Sequence, residues 1–259
     1  MWCKKCNIET NESVCPVCGS ETIEDTPVEV YWCKHCKTPI IQFVNQMDKG
    51  ACPLCGRKTK YLSADLRPVF PEERLLIELL LGKKPNEWIE CSVWASNSRY
   101  YIDGKSVSLS SSLFQNADTD LLSKQLEEYK SQNGYEFFES NIQVFIEANR
   151  DRLCYLKDEA FAFINQAAQK YDPEHIVVSF SGGKDSTVTA DLAVKGLSNP
   201  CLVHIFGNTT LEFPSTIEYA NRFRNDHPQA IFQIAQNYEQ VFLDVCEDIG
   251  PPARMMRWC

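Results

Sequence analysis

Eight cysteines before residue 56 fall into four Cys-x-x-Cys pairs: Cys3/Cys6, Cys15/Cys18, Cys33/Cys36 and Cys52/Cys55. Such a turn presents two thiolates from one backbone knuckle, and zinc takes four soft ligands in a tetrahedron, each sulfur at about 2.3 Å. Gly19 and Gly56 directly follow two of the pairs, where a residue without Cβ lets the knuckle turn with positive φ. The pattern is duplicated. Trp2-Cys3-Lys4-Lys5-Cys6 recurs as Trp32-Cys33-Lys34-His35-Cys36, and Cys15-Pro16-Val17-Cys18-Gly19 as Cys52-Pro53-Leu54-Cys55-Gly56, with 15 residues between the pairs in the second copy against 8 in the first. The longer spacing is that of a zinc ribbon and the shorter one is a variant of it. Two tandem ribbons over residues 1–60, each with one structural Zn²⁺, are therefore expected. Redox pairs would not come fourfold. The spacing leaves open an interleaved grouping of the pairs and a role for His35 in place of a thiolate.

A second constellation is Ser179-Phe180-Ser181-Gly182-Gly183-Lys184-Asp185-Ser186-Thr187. Gly182 and Gly183 allow backbone amides to close on phosphate oxygens, and a helix starting behind them adds the positive end of its dipole. Ser181, Ser186 and Thr187 offer hydroxyl donors. Lys184 would neutralise phosphate charge, and Asp185 could hold Mg²⁺ or cap the helix. The candidate nucleotide-binding set is Ser179, Ser181, Gly182, Gly183, Lys184, Asp185, Ser186 and Thr187, with Lys184 and Asp185 as the candidate catalytic pair. It is not a Walker A loop, because no glycine stands five residues ahead of a Gly-Lys-[Ser/Thr]. The plain alternative is a glycine turn that joins a strand to a helix and binds nothing.

The elements that must carry these groups follow from periodicity. From Ile176 onward, β-rich runs at Ile176 to Phe180, Cys201 to Phe206 and Ile231 to Ala235 alternate with helical runs at Ser186 to Lys195, Pro214 to Asp226 and Tyr238 to Asp248. That alternation predicts βαβ units and a parallel sheet. A helix over Asp151 to Lys170 precedes it. Between residues 63 and 150 the pattern predicts a small α+β domain: a helix from Pro71 to Leu81 ended by Gly82, strands at Trp88 to Ala95 and Arg99 to Leu109 turning at Asp103-Gly104, and a solvated helix from Asp118 to Gln132 stopped by Gly134. Trp94, Tyr100 and Tyr101 fit strand-core packing better than stacking on a base. Cys91, Cys154, Cys201 and Cys246 are expected as buried small hydrophobes.

Composition narrows the class. The 259 residues are 44% hydrophobic and 24% charged, which disfavours disorder, collagen-like repeats and a coiled-coil rod. No apolar run approaches the roughly 20 residues of a membrane span, and the N-terminus has no apolar signal region, so a soluble, cytoplasmic protein is expected. The net charge of -9 argues against a globally basic nucleic-acid binder. Lys4, Lys5, Lys34, Lys37, Lys58 and Lys60 nevertheless make the ribbons locally basic, which suits either solvated lysines or contact with tRNA or DNA.

Ser181-Gly182-Gly183-Lys184-Asp185-Ser186 after Val177-Val178-Ser179-Phe180 resembles the PP-loop of the ATP-pyrophosphatase and phosphoadenosine phosphosulfate (PAPS) reductase superfamily. Asn208-Thr209-Thr210-Leu211-Glu212-Phe213-Pro214-Ser215-Thr216 resembles the reductase branch's Asp-Thr-x-x-Glu-Phe-Pro-x-Thr stretch, with Asn208 in place of the usual Asp. Gly250-Pro251-Pro252-Ala253-Arg254-Met255-Met256-Arg257-Trp258-Cys259 resembles the segment leading into that branch's Arg-x-Cys or Cys-Cys element. The resemblance spans Asp151 to Cys259 and implies a parallel, doubly wound α/β sheet of HUP-like, adenine nucleotide α-hydrolase-like fold, set behind the two ribbons and the α+β domain. It implies binding of ATP, APS or PAPS in sulfur or adenylyl transfer, with Arg254 and Arg257 reaching a sulfate or phosphate group. An iron-sulfur cluster would need ligands from a C-terminal continuation of the chain, and residues 151–259 are expected to be the front part of a nucleotide-binding domain completed by such a continuation or by a partner subunit. The alternative is a nucleic-acid thiolation enzyme, in which the ribbons hold tRNA or DNA and the loop activates it with ATP.

Overall fold

The computed structural model of the chain describes residues 2–3, 5–6, 8–10, 12–22, 28–44, 49–129, 132 and 134–253. It separates into two compact units, Met1–Leu153 and Cys154–Cys259.

In the first unit β1 (Trp2–Cys3) and β2 (Ile8–Glu9) form a short antiparallel pair. β3 (Val28–Cys33), β4 (Thr38–Phe43) and β5 (Lys60–Ser63) make an antiparallel sheet in the order β4-β3-β5. β6 (Arg67–Pro68) leads into α1 (Pro71–Leu80), after which β7 (Val93–Ser96), β8 (Arg99–Ile102) and β9 (Lys105–Ser108) complete the meander β6-β7-β8-β9. α2 (Ser111–Gln115), α3 (Thr119–Tyr129) and α4 (Tyr135–Ala148) follow.

The central strands β7 and β8 are buried on both faces, which explains their nearly unbroken apolar runs. Alternation sends Val93, Ala95, Tyr100 and Ile102 toward Val69 and Ile77, while Trp94 and Tyr101 pack with Trp32 of β3 and with Ile142 and Phe145 of α4. The phenols of Tyr100 and Tyr101 are engaged inside the fold, donating to Glu73 and to the Leu62 carbonyl. Asp103 and Gly104 have φ of +47° and +77°, as a two-residue hairpin turn between right-twisted strands requires.

Several element boundaries differ from the sequence reading. The strand expected from Trp88 starts only at Val93. Residues 83–91 turn instead because the buried Glu78 carboxylate accepts the backbone amides of Asn86 and Trp88, both at 2.7 Å, and the guanidinium of buried Arg74 at 2.9 Å. Gly134, expected to end a helix, starts α4 with φ +72°. α4 itself was not anticipated; its Ile142 and Phe145 complete the core around Trp94.

α5 (Arg150–Ala168), whose residues 154–168 belong to the second unit, is followed there by the parallel sheet β10-β11-β12 of β10 (Val177–Phe180), β11 (Val203–Asn208) and β12 (Ile231–Gln236). The connecting helices are α6 (Lys184–Gly196) and α7 (Pro214–Asp226), and α8 (Phe242–Ile249) follows β12. In register, Val178 and Phe180 stand beside His204 and Phe206, on the face that packs with Ala190 and Ala193 of α6 and Ala220 and Phe223 of α7. The parallel α/β sheet expected at the C-terminus is thus present. α6 begins two residues earlier than expected and α8 four residues later. The single cysteines are not buried hydrophobes: Cys154 and Cys201 are exposed, and Cys91 and Cys246 are half-buried. Among the described residues no helix is long and apolar enough to cross a membrane.

Candidate functional site

The thiols gather into two quartets, Cys3/Cys6/Cys15/Cys18 and Cys33/Cys36/Cys52/Cys55, each with its sulfurs within 4.8 Å of one another. Pairs that neighbour each other in sequence therefore combine, and interleaving does not occur. Tetrahedral ligands at about 2.3 Å stand roughly 3.8 Å apart. The sulfur separations, 3.5 Å for Cys3–Cys18, 3.6 Å for Cys33–Cys55 and 3.8 Å for Cys36–Cys52, fit such a centre. In each quartet an amide from within the knuckle donates to sulfur, Cys6 to Cys3 and Cys36 to Cys33, both at 3.4 Å. Gly19 and Gly56 turn with φ of +69° and +67°. His35 stands outside both quartets, each of which is complete with four thiols, and its Nδ1 pairs with the Arg57 guanidinium at 2.8 Å.

Crowded together, the thiols differ sharply in acidity. Hydrogen bonds from Ser20 lower Cys18 to about 6, whereas the bond with Cys18 raises Cys6 to about 12. The backbone amide of Arg57 lowers Cys55 to about 7, and burial pushes Cys36 up. A divalent ion is what lets four such sulfurs be thiolates together.

The glycine loop lies at the C-terminal end of β10. Gly182 has φ +75° and Gly183 is the N-cap of α6 without any side-chain cap, so the amides of Lys184, Asp185 and Ser186 have no protein acceptor among the described residues. Ser181 Oγ donates to Ser186 Oγ at 3.1 Å, and Ser186 in turn donates to the Gly183 carbonyl at 3.0 Å. Lys184 and Asp185 are almost fully exposed and pair with each other at 2.6 Å. Thr187 behaves differently from the two serines. Its hydroxyl donates to the Gly183 carbonyl at 2.9 Å and accepts from Tyr219 of α7 at 3.0 Å, so both its sides are engaged within the fold. Ser179 stands in β10 outside this hydrogen-bonded set. Arg254 and Arg257, with Cys259 and Lys4, lie outside the described residues.

Beside the loop, at the same edge of the sheet, the ends of β11 and β12 border an open cleft of about 620 Å³ lined by Asn208, Thr210, Gln236, Gln240 and Phe242 among others. Asn208 donates to Gln236 Oε1 at 2.9 Å and accepts the Thr210 amide at 2.9 Å. The residue that departs from the aspartate pattern is thus tied into a carboxamide bridge between two strand ends. Sequence reasoning missed this bridge and the contribution of Tyr219. The one available signal for the latter was helical spacing, which puts Tyr219 beside the core positions Ala220 and Phe223 of α7.

A glycine turn from a parallel strand into an uncapped helix, with a cleft across the carboxyl ends of the next strands, is the arrangement in which open parallel α/β sheets take up ligands. Residues 175–245 match the phosphoadenosine phosphosulfate reductase domain family. Two uncharacterized proteins of Methanocaldococcus jannaschii are similar to the chain. MJ0066 is 30% identical over 136 residues, 52% of this chain and 27% of its own length. MJ0973 is 29% identical over 120 residues, 46% of this chain and 28% of its own length. The chain spans about a quarter of the length of these curated relatives. No solved structure matches it.

Proposed function

We propose that the C-terminal unit binds an adenine nucleotide (ATP, APS or PAPS), with its phosphates on the Ser181–Thr187 loop, and acts in sulfur or adenylyl transfer. The observation that carries this reading is the set of unpaired amides at Lys184, Asp185 and Ser186 behind Gly182 and Gly183, within the segment that matches the reductase family. Ser181 and Ser186 can re-aim their hydroxyls onto phosphate oxygens. Lys184 compensates phosphate charge, and Asp185, released from Lys184, is the residue to hold Mg²⁺. Arg254 and Arg257 are assigned to a terminal sulfate or phosphate. The ribbons are assigned one structural zinc each. Calorimetric titration with ATP, APS and PAPS tests the binding. Pyrophosphate release from ATP would mark adenylyl transfer, and a thiosulfonate formed with release of an adenosine phosphate would mark the reductase chemistry. No binding to any of the three would refute the reading.

A second reading, an ATP-dependent enzyme of tRNA or DNA thiolation, is favoured by one feature of the ribbons. Lys5, Lys34, Lys58 and Lys60 are exposed and make no ion pair with described residues, whereas Lys37 is paired with Asp103. Affinity for tRNA that falls steeply with salt would support it.

A further inference from the structure

We propose that Tyr219 is the positioning residue of the phosphate loop, holding the Gly183 peptide so that the free amides behind it face a ligand. This rests on the reading of the loop as a phosphate site. Helix N-termini are ordinarily closed by a Ser, Thr, Asp or Asn side chain that bonds the first amides. Gly183 has no side chain to do so, and that leaves the amides of α6 available. Its peptide must then be held from the carbonyl side.

The Gly183 carbonyl accepts the Thr187 amide at 3.1 Å, the Thr187 hydroxyl at 2.9 Å and the Ser186 hydroxyl at 3.0 Å. Ser186 also accepts from the Ser181 amide and hydroxyl, so its bonds can be exchanged when a ligand arrives. The Thr187 hydroxyl has a fixed direction. Because the Tyr219 phenol donates to it at 3.0 Å, its own proton must go elsewhere, and Gly183 O is the acceptor in reach. The phenol is itself anchored: its ring stacks on Phe180 at 6.4 Å, and the Arg222 guanidinium lies over it at 5.2 Å. The same helix walls the loop from the other side, since a Cβ on Gly182 would stand 3.1 Å from Thr216 Cγ2 and 3.9 Å from Tyr219 Cδ1. Tyr219 thus reaches the ligand-facing amides only through Thr187 and Gly183.

The test uses the full chain and Tyr219→Phe, which removes the phenolic oxygen and keeps the ring. Amide exchange over Gly183–Thr187 is followed by NMR without ligand, and inorganic pyrophosphate, ATP and adenosine are titrated by calorimetry. Loss of one net hydrogen bond predicts about fivefold faster exchange at the Thr187 amide and about fivefold weaker binding of pyrophosphate and ATP. Adenosine binding should be unchanged. Tyr219→Phe made in a Thr187→Val background should add little to the effect of Thr187→Val alone, and Thr187→Ser, which keeps the hydroxyl, should keep the native exchange rate at residue 187. Unaltered exchange at Thr187, or equal weakening of adenosine and pyrophosphate, would overturn the assignment. If the native chain binds neither ATP nor pyrophosphate, the phosphate reading fails, while the exchange rates still decide whether Tyr219 orders the loop.

Discussion

The side chain of Asn149 substitutes for a neighbouring strand along the outer edge of β4: its Oδ1 accepts the Ile41 amide at 2.6 Å. Its Nδ2 donates to the Pro39 carbonyl at 3.0 Å and to Phe145 of α4 at 2.8 Å. One buried carboxamide therefore joins the second ribbon to the helix that closes the neighbouring core.

Asn149→Ala strips that edge of both partners in a buried setting. The expected loss is about 2–4 kcal/mol, because the freed Ile41 amide and Pro39 carbonyl stay desolvated. Chemical denaturation of the full chain, read by the fluorescence of Trp32 and Trp94, checks this. A loss below about 0.5 kcal/mol would mean that water replaces the carboxamide.

Each quartet should hold one zinc ion independently of the other. Elemental analysis should find two zinc ions per native chain and one in Cys52→Ser, since the two quartets share no cysteine. Retention of two ions in that variant would show that a fourth protein thiol is not needed. Acidification should release the metal as protons compete for the thiolates.

Gly104→Ala tests the packing between the β8–β9 turn and Trp32. A Cβ there would stand 2.4 Å from the indole, and the backbone has φ +77°. About 1–3 kcal/mol of destabilisation is expected, from overpacking together with the left-handed backbone. A melting temperature equal to that of the native protein would contradict the close contact.

Gly182→Ala, by contrast, should cost function more than stability. The added methyl has one tight contact, Thr216 Cγ2 at 3.1 Å, but disfavours the φ of +75° on which the loop's shape depends. Pyrophosphate affinity should fall about tenfold, the equivalent of the 1–2 kcal/mol needed to hold an L-residue in that region.

His204 is expected to make the second unit sensitive to mild acid. It is 1% exposed, its Nδ1 is bonded to the Leu202 carbonyl, Nε2 has no partner among the described residues, and burial lowers its pKa below the ordinary 6.5. The unfolded chain therefore takes up a proton first as pH falls. The stability contributed by the neutral ring is complete above pH 6.5 and declines as pH drops toward the folded value. Urea midpoints between pH 7.5 and 5.5 should fall for the native chain and much less for His204→Phe; parallel curves would point to other groups.

The most legible parts of this protein are those whose information is local. Four Cys-x-x-Cys knuckles with glycines at 19 and 56, and a Gly182-Gly183 turn between a strand and a helix, are statements about ligand spacing and backbone freedom within a few residues. They carry through to two thiol quartets and an uncapped helix start. The alternation from Ile176 onward likewise predicts the parallel strands, because helical and extended periodicities differ along the chain itself.

Long-range partnerships between ordinary residue types left no such trace. Nothing near Trp88 signals that Glu78, ten residues earlier, takes its amide and forbids a strand. The grouping of the cysteine pairs, the 108-residue span from Asn149 to Ile41, and the 32-residue span from Tyr219 to Thr187 depend on which surfaces meet in three dimensions. The amino-acid sequence by itself determined which residues could bind metal or phosphate. Only the tertiary structure decided which sulfurs gather into one quartet and which hydroxyl of the glycine loop is held from both sides, because a hydrogen bond is set by the place and direction of its partner and not by its distance along the chain.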